Sequence, residues 1–239
     1  MDQFPGGGKR FAFFGGSFDP PHLGHLAVAR AARLALDLDA VLFAPVGAQP
    51  LKRQGSTASF EHRLAMTRLA IAGEPGFGLS MADAPKPTGG PNYTLETLLG
   101  LRAELPPDGA LYCLMGADSF LGLRRWHRAA EIPFAAPLLV ASRPGERLDD
   151  LKAALPAGLA IEDLPDLRRA DSAVEVQAYR LRNTAGDATP FYLLPGLHME
   201  ISASEIREQV RATAGDPIRG HELLPRRVAD YIRLHRLYR

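Results

Sequence analysis

The chain has 239 residues, of which 46% are hydrophobic, so it can bury a substantial core without disulfide or metal support. Its formal net charge of +1 gives no electrostatic reason to expect a nucleic-acid or membrane partner. No apolar run approaches the roughly 18 residues of a membrane span, and residues 1–10 lack a signal-peptide pattern. The single cysteine, Cys113, lies in an apolar run and is expected to be a packing residue. We therefore expect a cytoplasmic protein.

The first predicted strand follows a glycine-rich segment, 1–9, that we expect to be a flexible tail. Residues 11–14 are apolar without alternation, the pattern of a strand covered on both faces in a parallel sheet flanked by helices. Gly15 and Gly16 end this strand. Glycine can adopt positive φ and lets a ligand approach the main chain, so such a pair is typical of an anion-facing turn.

Two histidines, His22 and His25, follow the glycine turn. Pro20 and Pro21 exclude a helix before about Leu23, and the helical pattern from there places His25 in the first turn. A first turn has free N–H groups and a positive dipole end, which together favour anions. The stretch therefore predicts a phosphate site, although an ordinary turn with structural histidines is the simpler alternative for either feature alone.

The remaining elements alternate in a βαβ order, which predicts right-handed crossovers and an α/β fold. Strands are predicted at 40–44, 77–81, 111–115, 137–142 and 191–194. Helices are predicted at 60–71, from a cap at Asn92 or Thr94 to about 105, from 202 or 203 to about 213, and at 225–237. The stretch 146–189, with helices at 148–155 and 172–181, is interpreted as an insertion or as crossover helices within one domain, 10–239. The arginines of 226–236 are interpreted as a solvated helix face.

The string GGSFDPPHLGH, residues 15–25, resembles the nucleotidyltransferase superfamily of Rossmann-like enzymes that share an HxGH element. Within that superfamily it is most similar to the bacterial nicotinate-nucleotide adenylyltransferases. The resemblance implies a Rossmann-like nucleotidyltransferase fold, with a parallel sheet and helices on both faces. It also implies that the turn binds ATP and that His22 and His25 contact its phosphates. The turn residues concerned are Gly15, Gly16, Ser17 and Phe18.

Two later segments match the same family and would complete the ATP site. ISASEIR, residues 201–207, resembles the family signature ISSTxIR, which implies phosphate contacts from Ser202, Ser204 and Arg207. This chain has Ala203 where the family usually has a hydroxyl residue, so no hydroxyl contact is expected there. GADSF, residues 116–120, matches the family's GxD element, which implies nucleotide binding by Gly116 and a ribose contact by Asp118. A simple helix cap is the alternative for that aspartate.

Two other segments resemble the family's pyridine-nucleotide site. YTLETL, residues 93–98, matches YTxxTL, which implies that Tyr93 and Thr94 face the nicotinate carboxylate. Trp126, the only tryptophan, stands where the family stacks an indole on the pyridine ring, with a half-buried packing role as the alternative. Lys52, in the loop after the second strand, is a candidate for the ATP phosphates.

The resemblance implies adenylyl transfer from ATP to nicotinate mononucleotide, forming nicotinate adenine dinucleotide and pyrophosphate in NAD biosynthesis. Magnesium is expected to arrive with ATP, because the sequence has no carboxylate cluster for a dedicated metal site. Nicotinamide mononucleotide and phosphopantetheine are alternative acceptors, and a non-catalytic nucleotide-binding regulator is the alternative of another class. Homo-oligomerisation is left open.

Overall fold

The computed structural model describes residues 9–51, 55–142, 148–163, 174–195, 201–212 and 222–239. A single sheet runs through these ranges. Its strands are β1 Arg10–Gly16, β2 Ala40–Pro45, β3 Phe77–Leu79, β4 Ala110–Gly116, β5 Leu138–Ala141, β6 Leu159–Asp163, β7 Gln177–Asn183 and β8 Ala188–Leu194. The helices are α1 Leu23–Leu36, α2 Phe60–Ile71, α3 Thr94–Ala103, α4 Ala117–Leu121, α5 Ile132–Ala135, α6 Leu148–Ala153, α7 Ala203–Ala212 and α8 Arg226–Leu234.

The eight strands are arranged in the order β3-β2-β1-β4-β5-β8-β7-β6. The first six of these pair in parallel, as predicted. β7 then pairs antiparallel with β8, and β6 pairs antiparallel with β7. The predicted parallel sheet is thus confirmed for its central part and is extended by a two-stranded antiparallel edge.

Helices cover both faces of the sheet, and β1 shows how the sequence encodes this arrangement. Phe11 and Phe13 point into one apolar cluster, whereas Ala12 and Phe14 point into the other. Because neighbouring side chains of a strand face opposite ways, an unbroken apolar run is buried only when both faces are covered. One cluster includes side chains of α1, α2, α7 and α8. The opposite cluster includes side chains of α3, α4, α5 and α6.

One predicted element is wrong. Where the structure describes the helix expected at 172–181, it has β7 instead, because this segment pairs antiparallel with β6 on one side and with β8 on the other. Strand formation there depends on partners that a local helical pattern does not reveal. The helix predicted at 148–155 is present as α6.

Two expectations about chain organisation stay predictions. Residues 1–8 lie outside the described ranges, as do parts of 146–189, so neither the tail nor the insertion is tested. No helix in the described ranges is long and apolar enough to cross a bilayer.

Candidate active site

A cleft of about 890 Å³ opens at the carboxyl ends of β1 and β4. The strand order reverses between these two neighbours, since β2 and β3 lie beyond β1 while β5 and β8 lie beyond β4. Open α/β sheets bind ligands at such a switch point, because the two adjacent crossovers leave on opposite faces and open a crevice. The position of the cleft therefore follows from the topology.

The cleft brings together all but one of the site residues predicted from the sequence. The predicted residues that line it are Gly15, Gly16, Ser17, Phe18, His22, His25, Tyr93, Thr94, Gly116, Asp118, Trp126, Ser202, Ser204 and Arg207. Lys52 lies outside the described residues. We call residues 15–25 with Arg207 the phosphate wall, and Tyr93, Thr94, Trp126 and His127 the pyridine wall.

The histidines of the phosphate wall have a defined arrangement. His22 is the N-cap of α1, and its backbone N–H donates to Nδ1 of His25 at 3.1 Å. Their rings are in contact, with centroids 3.7 Å apart and an angle of 32° between the ring planes. Because Nδ1 of His25 accepts this hydrogen bond, a neutral His25 ring carries its hydrogen on Nε2. The Nε2–H group can therefore donate to a ligand.

Both histidines are held neutral at physiological pH. His22 is only 7% exposed, and burial lowers its pKa to about 4. Burial, together with the neighbouring His22, also lowers the pKa of His25 well below its usual value. The two rings therefore serve as hydrogen-bond donors or acceptors near pH 7, and positive charge in the cleft must come from elsewhere.

The turn before the histidines differs from the prediction in one respect. Gly15 and Gly16 belong to β1, and neither has positive φ. The left-handed residue is Phe18, with φ of 47°, and its ring packs against His25 at a centroid distance of 5.0 Å. Gly15 is needed for space instead, because a Cβ there would lie 2.7 Å from the ring of Phe13.

Arg207 on α7 contributes a permanent cation to the phosphate wall. Its guanidinium donates to the backbone carbonyl of Asp19 at 2.7 Å and to the Ser204 hydroxyl at 3.1 Å. Within the described residues, the buried Nε of Arg207 and Nδ1 of His22 have no hydrogen-bond partner. Buried polar atoms rarely stay unpaired, so phosphate oxygens of a ligand are suitable partners for them.

Gly116 and Asp118 also line the cleft, at the start of α4. A Cβ on Gly116 would have no protein atom within 4 Å, so its backbone faces open space. That space suits the close approach of a flat ligand, as the sequence predicts. Asp118 is in the first turn of α4 and also lines the cleft.

The pyridine wall is built from aromatic side chains on two separate segments. Tyr93 is the N-cap of α3, which corrects the expected cap at Asn92 or Thr94. Its ring stacks on exposed His127 with centroids 4.3 Å apart. Trp126 is half-buried against the apolar cluster and keeps part of its surface in the cleft. Both the stacking and the packing interpretations of this tryptophan are compatible with that position.

Three further cleft residues were not singled out from the sequence. Asn92 is buried and joins two loops, since its side chain accepts from Ala48 N–H at 3.0 Å and donates to Ala84 O at 2.9 Å. Asp83 is buried, which raises its pKa, and it accepts from the Thr97 hydroxyl at 2.7 Å. Asp19 accepts two backbone N–H bonds. Only Asp19 had a sequence signal, its place inside the FDPPH string.

Arg63 on α2 lies beneath the cleft and fixes its floor. It is 2% exposed, and burial lowers its pKa from the ordinary arginine value. Its guanidinium donates to the carbonyls of Ser17 and Val46 at 2.7 Å each and to that of Ala58 at 3.3 Å. A buried cation whose donors are satisfied in this way ties the segments just after β1, just after β2 and just before α2 together.

Cys113 is a buried residue of β4, as expected. Burial, with a smaller contribution from Asp83, raises the pKa of its thiol to about 12. The thiol therefore stays protonated at physiological pH, which agrees with a packing role and not with nucleophilic chemistry.

Comparisons with known proteins agree with the fold and the motifs. The cytidylyltransferase-like family model matches residues 13–209. A probable nicotinate-nucleotide adenylyltransferase of Stenotrophomonas maltophilia is 41% identical over 235 residues, covering 95% of this chain and 96% of that protein. The corresponding protein of Trichlorobacter lovleyi is 37% identical over 201 residues, covering 84% and 87%.

A solved structure supports the fold independently of close sequence similarity. Plasmodium falciparum nicotinic acid mononucleotide adenylyltransferase, in complex with NaAD, superposes with a TM-score of 0.67 at 18% identity, covering 96% of this chain and 97% of that one. Topology, motifs and the extent of the matches therefore lead to one conclusion: the chain belongs to the nicotinate-nucleotide adenylyltransferase family of cytidylyltransferase-like proteins.

Proposed function

We propose that this protein transfers the adenylyl group of ATP to nicotinate mononucleotide, releasing pyrophosphate and forming nicotinate adenine dinucleotide in NAD biosynthesis. The observation that carries the proposal is the HxGH turn at the topological switch point, with Arg207 hydrogen-bonded to the same turn. Relatives that span most of this chain are named for the same activity.

The reaction needs no nucleophile from the protein. A phosphate oxygen of the mononucleotide forms a bond to the α-phosphorus of ATP as the bond from that phosphorus to the bridging oxygen of pyrophosphate breaks. Catalysis then depends on alignment of the two anions and on stabilising charge on the phosphates. His25 Nε2–H, the guanidinium of Arg207 and the start of α1 are the donors we assign to that charge.

The other predicted residues divide between the two substrates. We assign Gly15, Gly16, Ser17, Ser202 and Ser204 to the ATP phosphates, and Gly116 and Asp118 to the adenosine. Phe18 supports His25 through packing. Tyr93, Thr94 and Trp126 are assigned to nicotinate mononucleotide. Lys52 keeps its assignment to the phosphates as a prediction from sequence.

Magnesium is proposed to enter the cleft bound to ATP. In the described part of the chain, no group of three or more histidine, cysteine, aspartate or glutamate side chains is arranged to hold a metal ion. Magnesium commonly binds nucleotide enzymes through substrate phosphates and few protein ligands, and would add positive charge to the polyphosphate. The cytoplasmic location and the oligomeric state stay predictions.

The decisive experiment measures pyrophosphate release by the purified protein with ATP and each of three acceptors in parallel. We expect turnover with nicotinate mononucleotide and much slower turnover with nicotinamide mononucleotide or phosphopantetheine. Faster turnover with either alternative acceptor would change the assigned substrate. ATP binding by calorimetry without pyrophosphate release from any acceptor would identify a regulator instead.

A further inference from the structure

A turn that follows α8 reaches back to the cleft and contacts the phosphate wall. The Tyr238 hydroxyl donates to Oδ1 of Asp19 at 2.7 Å, although the two residues are 219 positions apart. Both side chains are buried, with 5% of Tyr238 and 4% of Asp19 exposed. Asp19 lies only three residues before His22, so this contact joins the far end of the chain to the HxGH turn.

The Asp19 carboxylate connects more than these two segments. Its Oδ2 accepts from Thr57 N–H at 2.6 Å, and its Oδ1 accepts from Ala58 N–H at 3.1 Å. The Asp19 carbonyl accepts from Arg207 at 2.7 Å. One residue therefore links the turn, the segment before α2, helix α7 and the turn after α8. Loss of any partner would change the position of the others.

The backbone conformation of Tyr238 indicates that surrounding contacts hold this residue in place. Its φ of 63° lies in the left-handed region, which is unfavourable for a bulky side chain. Such conformations persist where surrounding contacts determine them. Burial, together with the Asp19 charge, raises the pKa of the Tyr238 hydroxyl, which therefore remains a donor throughout the physiological pH range.

We propose that Tyr238 is a positioning residue for adenylyl transfer, acting through the carboxylate of Asp19 to place His22, His25 and Arg207 relative to one another. The proposal rests on the proposed function. Tyr238 is absent from the cleft lining, so it acts without touching a substrate. The pyridine wall contributes none of the groups that bond to Asp19 in the described residues, so nicotinate mononucleotide binding should be insensitive to this contact.

Tyr238→Phe tests the proposal, with Tyr231→Phe as the matched control. Tyr231 lies on α8 and its hydroxyl pairs with Nδ1 of His62 at 3.0 Å, away from the cleft. Each variant loses one hydroxyl and keeps its ring. We expect kcat to fall about tenfold in Tyr238→Phe, the scale of one hydrogen bond to a charged group, with an unchanged KM for nicotinate mononucleotide. Tyr231→Phe should keep wild-type kcat.

A double-mutant cycle with Asp19→Ala separates positioning from general destabilisation. If Tyr238 acts through Asp19, the double variant should be no slower than Asp19→Ala alone, because Asp19→Ala already removes the oxygen that accepts from the Tyr238 hydroxyl. Thermal unfolding of all four proteins shows whether they are folded at the assay temperature. Equal kcat in Tyr238→Phe and Tyr231→Phe, or independent multiplication of the two effects, would overturn the positioning role.

The wild-type protein is assayed first, so that a failure of the proposed function can be distinguished from a failure of the positioning role of Tyr238. An inactive wild type with ATP and nicotinate mononucleotide would overturn both the function and the positioning role. An active wild type with an unaffected Tyr238→Phe would overturn the positioning role alone. If Tyr238→Phe does not fold, the kcat and KM of Asp19→Ala are measured instead, and an unchanged kcat in that variant contradicts the proposal.

Discussion

The two walls of the cleft differ in how they are held. The phosphate wall is mostly one continuous stretch, and its parts are fixed by hydrogen bonds from His22 to His25 and from Arg207 to Asp19. The pyridine wall joins separate segments through aromatic contacts, and His127 on it is exposed. The side chains of the phosphate wall, where charge would develop during the proposed reaction, are thus held more tightly than those of the pyridine wall, where the acceptor mononucleotide would bind.

Under the proposed function, this difference would assign catalysis to the phosphate wall and recognition of the acceptor to the pyridine wall. Preorganised donors lower a barrier because they need no rearrangement when charge forms. Stacking surfaces bind flat rings with little demand on exact placement. Substitutions in the phosphate wall should therefore act mainly on kcat, and those in the pyridine wall mainly on the KM of the mononucleotide.

His25→Ala should have the largest effect on activity. Loss of one transition-state donor is expected to lower kcat by about two to three orders of magnitude, with little change in the KM of nicotinate mononucleotide. Steady-state kinetics with pyrophosphate detection measure this. His62→Ala, which removes a histidine outside the cleft, should keep wild-type kcat. A folded His25→Ala protein with normal turnover would remove this histidine from the mechanism.

Asn92→Ala should affect stability more than chemistry. It leaves Ala48 N–H and Ala84 C=O without their side-chain partner, which should lower the free energy of unfolding by about 2 kcal/mol. Urea denaturation measures this loss. Asn183→Ala, which removes two solvent-facing hydrogen bonds to Asp187, should cost less than about 1 kcal/mol. Equal losses would show that the loops at the pyridine wall do not depend on Asn92.

Trp126→Ala tests recognition by the pyridine wall. Loss of a stacking surface should raise the KM of nicotinate mononucleotide about tenfold while kcat stays near the wild-type value. Trp126→Phe keeps a smaller aromatic face, so its KM for nicotinate mononucleotide should lie between those of the wild type and Trp126→Ala. If instead kcat falls and KM does not change, the packing interpretation of this tryptophan is correct.

The smallest change in stability is expected from His22→Gln, as a change in the pH dependence of the free energy of unfolding. The folded pKa of His22, about 4, is below its ordinary value of 6.5, so the unfolded chain binds more protons between these values. Stability from this residue is therefore lost as pH falls, by about 1 kcal/mol between pH 7 and 5.5.

The measurement for His22→Gln is urea denaturation at both pH values. The variant should lose less stability on acidification than the wild type, whereas His127→Gln, at an exposed position, should follow the wild type. Identical pH dependence in all three proteins would contradict a buried, neutral His22.

The central sheet and the phosphate wall were largely predictable because their signals are local. The unbroken apolar run of 11–14, the two prolines and the helical pattern from Leu23 place β1 and the start of α1 correctly. The GADSF and ISASEIR strings likewise lead to the cleft. Each of these signals lies within about a dozen residues, where sterics and hydrogen bonding decide the conformation.

Features that depend on distant partners were missed. β7 forms because β8 lies beside it, and nothing within 172–181 signals that pairing. The left-handed backbone conformation occurs at Phe18, whose ring packs among Phe14, His25 and Phe43. The sequence instead suggests positive φ at the preceding glycine pair. Asp19 and Tyr238 are 219 positions apart in the chain, so no local sequence pattern could predict their contact.

The guanidinium of Arg63 has a further consequence for motion near the cleft. It holds carbonyls from three chain segments at Ser17, Val46 and Ala58. Opening any one of these segments would leave a buried cation short of a partner, so they should open together or not at all. Native-state hydrogen exchange should then find the floor of the cleft to be a single cooperative unit, with the same opening free energy in all three segments.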